Sequence, residues 1–127
     1  MARDDFTKSV IETLKARVAH RCSNPECRVP TSAPSSTSKV NNIGVAAHIC
    51  AASPGGPRYD RSMSSAERKD LSNGIWLCSN CSIDIDRDEK IYTVRSLKEW
   101  RNQAEESSRA GLGRKLPSNN ETIDTVT

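Results

Sequence analysis

Three linked runs decide the fold: Gly44-Val45-Ala46-Ala47-His48-Ile49, Pro54-Gly55-Gly56-Pro57-Arg58-Tyr59-Asp60, and Asn73-Gly74-Ile75-Trp76-Leu77-Cys78-Ser79-Asn80-Cys81-Ser82-Ile83-Asp84-Ile85-Asp86. The short apolar run from Ile43 to Ala51, rich in small residues, predicts a strand around His48. Gly74 to Leu77 predicts a second strand paired with it. Between them Pro54-Gly55-Gly56-Pro57 must be a loop, because two prolines remove backbone donors and two glycines admit unusual backbone angles. Ser64-Ser65-Ala66-Glu67 has the pattern of a capping box and predicts a short helix ending near Leu71. A further helix is expected to begin at about Ser82, a residue well suited to cap it.

Upstream, Val10, Ile11, Leu14 and Val18 recur on one helical face, and Ser9 with Glu12 forms a second capping-box pattern, so a helix is expected from Ser9 to Ala19. It leads into Cys22-Ser23-Asn24-Pro25-Glu26-Cys27, a tight turn bracketed by thiols. The Ser/Thr/Pro-rich segment from Arg28 to Asn42 has almost nothing to bury and reads as an exposed loop. Downstream, Val94, Leu97, Trp100 and Ala104 mark the buried stripe of a last helix from about Val94 to Ala110. These readings define one domain over residues 1–110. Residues 111–127, without apolar periodicity, are expected to be a disordered tail or linker.

The chain has 127 residues, 35% of them hydrophobic and five aromatic, so its core is small and a metal or partner should help to hold it. A net charge of +3 permits nucleic-acid binding without arguing for it. No apolar run approaches the ~18 residues of a membrane span, and Met1-Ala2-Arg3-Asp4-Asp5 lacks the apolar core of a signal peptide. A cytoplasmic protein with no membrane partner is therefore expected, and in a reducing compartment five cysteines point to metal ligation rather than disulfides.

Cys22 and Cys27 form one short thiol loop and Cys78 and Cys81 another. Each supplies a metal with two ligands from one turn, and four thiolates at ~2.3 Å close a tetrahedral zinc sphere, which makes the expected Zn2+ structural. A redox Cys-Ser-Asn-Cys is the rival reading, but the βαβ context such motifs need is missing. Cys50 alternates with His48 among apolar neighbours and reads as a small buried hydrophobe. His20 reads as an exposed residue ending the first helix.

The ordered set Ala47-His48-Ile49, Asn73-Gly74-Ile75-Trp76-Leu77-Cys78 and Cys81 resembles the HNH endonuclease family. It is most similar to a bacterial branch with the pattern Ala-Ala-His-Ile, Gly-Gly-Pro-Arg-Tyr-Asp and Asn-Gly-Ile-Trp-Leu-Cys, whose members often sit in antiphage defence systems. The likeness covers roughly Leu14 to Ala104. It implies an α+β fold, a small ββα-metal, treble-clef-like finger with flanking helices and one structural zinc. It also implies a divalent-metal-dependent endonuclease on DNA, a defence effector or the nuclease subunit of a larger defence-system protein.

In that setting His48 is the general base, since a neutral imidazole takes a proton from water near pH 7. Asn73 is expected to accept from the other ring nitrogen and fix the tautomer. A Mg2+ or Mn2+ ion would neutralise the phosphate and stabilise the leaving oxygen. Its ligands are expected at Ser82 and Asp86, one helical turn apart. Asp86 is a good oxygen ligand, but the family usually has histidine where this chain has Ser82. Ala47 also lacks donor atoms, though that branch commonly has alanine there. The Ser82 departure keeps a rival reading open: a catalytically degenerate, zinc-braced module that binds DNA or a partner protein.

Each residue has a plainer role beside the functional one. His48 also reads as a hydrogen-bonded core histidine, Asn73 as a turn residue, and Asp86 as an exposed helix charge like Asp84 and Asp88. Arg58 is a candidate phosphate contact or a solvated loop arginine. Arg95 and Lys98 share a face of the last helix, with Arg101 at its edge. They are candidates for following a DNA backbone, against a merely solvated face.

Overall fold

A computed structural model describes residues 3–115. The first helix, α1 (Lys8–Arg17), starts earlier than expected because Thr7 is its N-cap, its hydroxyl accepting from the Val10 N–H at 3.2 Å. Ser9 and Glu12 therefore lie inside the helix, and their capping pattern goes unused. Ala19 and His20 both take positive φ, 54° and 60°, which ends the helix and swings the chain into Cys22.

The segment expected to be a loop contains a hairpin, β1 (Ser32–Pro34) against β2 (Val40–Asn42), closed by the Ser35 N–H on the Lys39 carbonyl. It is almost wholly exposed, as its composition implies, but backbone pairing needs no apolar side chains, which is why composition missed it. Thr31 pins its base: its hydroxyl donates to the His20 carbonyl and accepts from the Trp76 indole N–H at 3.0 Å.

The second sheet forms as expected. β3 (Gly44–His48) runs antiparallel to β4 (Gly74–Cys78), with Gly44 opposite Cys78 and His48 opposite Gly74. Every residue of β4 is buried, because helices cover both of its faces. Trp76 and Ala46 pack on one side with Ile11, Val18 and Ala104. Ile75, Leu77, Ala47 and Ile49 pack on the other with Ile85 and Leu97. The Trp76 indole occupies the space where a Cβ on Gly44 would stand, so that position admits only glycine.

Between the strands, Ser64 and Glu67 make the predicted capping box and start α2 (Ser65–Lys69), followed by a 3-10 turn over Leu71–Asn73. After β4 the chain turns directly into α3 (Ser79–Arg87), whose N-cap is Cys78, its sulfur accepting from the Cys81 N–H. A thiol thus does the work expected of Ser82, which lies inside the first turns of the helix rather than at its cap. α4 (Val94–Gly111), capped by Thr93, buries Leu97 and Ala104 as its stripe implies. Over the described residues the protein is thus α+β, two small antiparallel sheets among four helices, with α3 following directly on β4 and packing on the β3–β4 pair. The expected tail, residues 111–127, begins at the last residue of α4; of the rest, 112–115 are described and 116–127 lie outside the described residues.

Candidate functional site

The loop after α1 and the β4–α3 junction meet at the four cysteines. The sulfurs of Cys22, Cys27, Cys78 and Cys81 all lie within 4.8 Å of one another, and all four are free thiols. Cys27 and Cys78 are 3.9 Å apart, close to the ~3.8 Å edge of a tetrahedron with ~2.3 Å zinc–sulfur bonds. Burial pushes the Cys22 and Cys81 thiols up. Burial acts the same way on Cys78, but hydrogen bonds from Cys81, Cys27 and Cys22 outweigh it and hold that thiol below its ordinary value. Thiolates gathered this closely need a cation among them, and the Asn24 amide already donates to the Cys81 sulfur at 3.4 Å. The donor set fits a structural metal such as zinc. Cys50 stands outside the cluster, buried as expected, and His20 is exposed with Nδ1 3.2 Å from the Ser32 hydroxyl.

A second constellation forms where β3 ends. A cavity of about 150 Å³ is bordered by His48, by Ser82 and Asp86 of α3, and by Arg3 of the N-terminal segment. The His48 ring is half-buried, with Nε2 donating to the Asp4 carbonyl at 2.8 Å and the Phe6 ring stacked on it, centroids 3.9 Å apart and 7° from parallel. Burial lowers its pKa from the ordinary value, the Asp4 carbonyl opposes that shift, and Arg3 reinforces it, so the site favours the neutral imidazole. With Nε2 carrying the proton, Nδ1 holds the lone pair.

Asn73 does not reach this histidine. Its buried amide accepts from the Cys50 N–H at 2.9 Å and donates to the Cys50 and Arg68 carbonyls, both at 3.0 Å. It therefore ties the turn before β4 to the end of β3, and the carbonyl of Asp4 takes the orienting place expected of it. Arg58 is likewise spent inside the protein. With its side chain only 4% exposed, it donates to the carbonyls of Ile49 (2.6 Å), Ile85 (2.7 Å) and Tyr92 (3.4 Å), and to Asp86 Oδ1 at 3.0 Å. It is a strut joining the loop to α3, and these bonds engage the guanidinium expected to meet a phosphate.

Asp86, its side chain 51% exposed, keeps its second carboxylate oxygen beyond that pairing. Ser82 adds a hydroxyl one turn earlier. Mg2+ commonly takes one or two carboxylates and completes its shell with water and substrate phosphate, so these two oxygens fit it sparsely. Among the described residues, the four cysteines alone gather three or more His, Cys, Asp or Glu donors.

Arg95 and Lys98 are exposed and border one shallow groove on α4 with Asn102, so they share a face as expected. Arg101 belongs to the interior, donating to the Leu71 and Gly74 carbonyls and to Glu105. Asp4 and Phe6, which shape the His48 site most directly, carry no motif that could have flagged them in the sequence.

No known family model matches the chain, and no curated protein matches it. Among the described residues no helix is long and apolar enough to cross a membrane.

Proposed function

We propose that this protein is an HNH-type endonuclease that hydrolyses DNA phosphodiester bonds with a divalent cation, on a ββα finger braced by a structural zinc. One arrangement carries the reading: His48 at the end of β3 and Ser82 and Asp86 on α3 border a single cavity, and α3 also carries Cys81 of the four-cysteine cluster. In this reading His48 takes a proton from an attacking water through Nδ1, and the commitment of Nε2 to the Asp4 carbonyl supports that assignment. Asp86, with weak help from Ser82, would hold a Mg2+ or Mn2+ ion, which supplies charge neutralisation at the phosphate and the leaving oxygen. Arg95 and Lys98 are the remaining candidates for contact with the DNA backbone, since Arg58 is internal. The resemblance of the motif set extends the proposal to a defence effector, or to the nuclease subunit of a larger defence protein, in the cytoplasm.

A second reading has its own support. Ser82 stands where the family has histidine, and Asp86 is paired with Arg58, which favours a finger that binds DNA or a partner without cutting. A plasmid-cleavage assay of the purified protein with Mg2+, Mn2+, Ni2+ or EDTA separates the two. Metal-dependent nicking that disappears in His48→Ala supports the nuclease; retention of DNA without nicking under every cation selects the second reading.

A further inference from the structure

We infer that residues 3–6 are a working part of the His48 site, with Asp4 and Phe6 acting as positioning residues for the imidazole. The inference rests on the reading of His48 as the base, and it assigns a role to a segment outside every motif in the chain.

Three features separate this segment from ordinary packing. The Asp4 carbonyl bonds a ring nitrogen, 2.8 Å from Nε2, so it selects which nitrogen carries the proton. Phe6 lies parallel to the imidazole across its whole face at 3.9 Å, which fixes the plane of the ring. Asp4 itself is anchored at several points: its N–H donates to the Ala52 carbonyl at 3.1 Å, and its carboxylate accepts from the Ser65 hydroxyl and, at 3.4 Å, from Arg68. An anchored carbonyl is a rigid acceptor, and a rigid acceptor holds one tautomer.

The position of the segment explains why it takes this role. His48 stands opposite Gly74 at the end of the sheet, where no further strand residue covers the pair. Phe6 and Leu14 fill the space over Gly74, and the Phe6 ring continues onto the imidazole. The charged groups around the ring are Arg3, Asp4 and Asp5 of the same segment, with Asp86 of α3 bordering the cavity. Arg3 disfavours a charged imidazole and the two aspartates favour one, so the segment sets the ring's charge balance as well as its orientation.

The test uses the full chain loaded with zinc, in the wild type, Phe6→Leu and Asp4→Ala. Nitrogen-15 spectra of the imidazoles report tautomer and titration, and plasmid nicking is measured in parallel. Wild-type His48 is expected as a single Nε2–H tautomer. Both variants should show mixed tautomers, Phe6→Leu should move the His48 midpoint up toward its ordinary value, and nicking should fall by up to about 10²-fold as the base loses its placement. Folded, zinc-bound variants with His48 tautomer and titration unchanged would overturn the inference. If Phe6→Leu does not fold, Asp4→Ala decides alone, because the Asp4 side chain meets Ser65 and Arg68 rather than the apolar core. A wild type that nicks no DNA defeats the nuclease reading, yet the tautomer result still decides the role of this segment.

Discussion

The cysteine cluster and the His48 cavity both draw residues from α3, Cys81 for the one and Ser82 and Asp86 for the other, but their donor groups are committed very differently. In the cluster, four sulfurs converge within 4.8 Å of one another, and the bonds that Cys78 and Cys81 accept from N–H donors leave sulfur lone pairs for a metal. Of the groups expected to act at the cavity, three are already engaged within the protein. Nε2 of His48 is bonded to Asp4, Oδ1 of Asp86 to Arg58, and the Asn73 amide to the backbone of Cys50 and Arg68. A structural metal needs a closed set of ligands, whereas a reacting centre needs groups held firmly and still left open on one side. Among the described residues, Nδ1 of His48, the second oxygen of Asp86 and the Ser82 hydroxyl have no such protein partner.

The comparison breaks first at the cysteines. Cys78→Ser removes one of the four clustered thiols while leaving a hydroxyl able to cap α3, so its effect reports the metal site rather than the cap. Structural zinc contributes about 10–16 kcal/mol of apparent binding energy in small finger peptides, so this variant should lose its metal and much of its fold. Elemental analysis should find about one zinc per wild-type chain, and thermal melting should show the collapse in the variant. A wild type without metal and with unimpaired stability would remove the distinction between the two regions.

At the cavity, His48→Ala should leave the zinc and the fold in place while lowering cleavage by about 10²–10⁴. The acid limb of the wild-type pH profile tests the same residue. Burial holds its folded pKa below 6.5, so the neutral base survives at pH 6.5, and the cleavage rate should decline only at lower pH. The linked effect on stability has the same sense. With the folded pKa depressed, the contribution is complete above the unfolded value near 6.5 and is lost as pH falls through the folded value.

Arg58→Ala sharpens the contrast from the side of the scaffold. It would strip three carbonyls of a donor, at about 1–3 kcal/mol for each buried acceptor left unsatisfied. Chemical denaturation should therefore register a large loss of stability, whereas a phosphate contact would register only in DNA affinity.

Ser82→His should raise cleavage, or lower the Mn2+ requirement, by about tenfold, the low end of what a metal's supporting groups contribute. Because Cys78 rather than Ser82 caps α3, this variant should lose no capping energy. A metal titration on the same plasmid, with His48→Ala in each background, measures the gain; equal cleavage would show that Ser82 does not stand in a ligand position. The smallest effect is expected for Arg95→Ala and Lys98→Ala, exposed on α4, with stability unchanged within about 0.5 kcal/mol. Fluorescence binding to a short duplex should weaken with a shallower salt dependence if they follow the DNA backbone.

Much of the framework was legible in the residues themselves, because it depends on short-range rules. Two thiols within one turn announce a metal loop whatever surrounds them, and the Cys22–Cys27 and Cys78–Cys81 loops do meet. The apolar runs at Ile43 to Ala51 and Gly74 to Leu77 pair as strands, and the Ser64–Glu67 box starts its helix. Rules of the same short range also misplaced details wherever two groups competed for one task. Thr7 displaced Ser9 as a cap, and Cys78 displaced Ser82, because either side chain offers a suitable acceptor and the neighbouring backbone selects between them.

The partners of each functional side chain were decided only in three dimensions. An arginine in a loop reads as solvated until the carbonyls of Ile49, Ile85 and Tyr92 are brought around it. An asparagine placed before a strand reads as an aid to His48 until the fold aims its amide at Cys50 and Arg68. Asp4 and Phe6 reach His48 across more than forty residues of chain, Asp4 through a backbone carbonyl that every residue type possesses. Side-chain identity specifies what a group can bond; the path of the backbone specifies which group it meets.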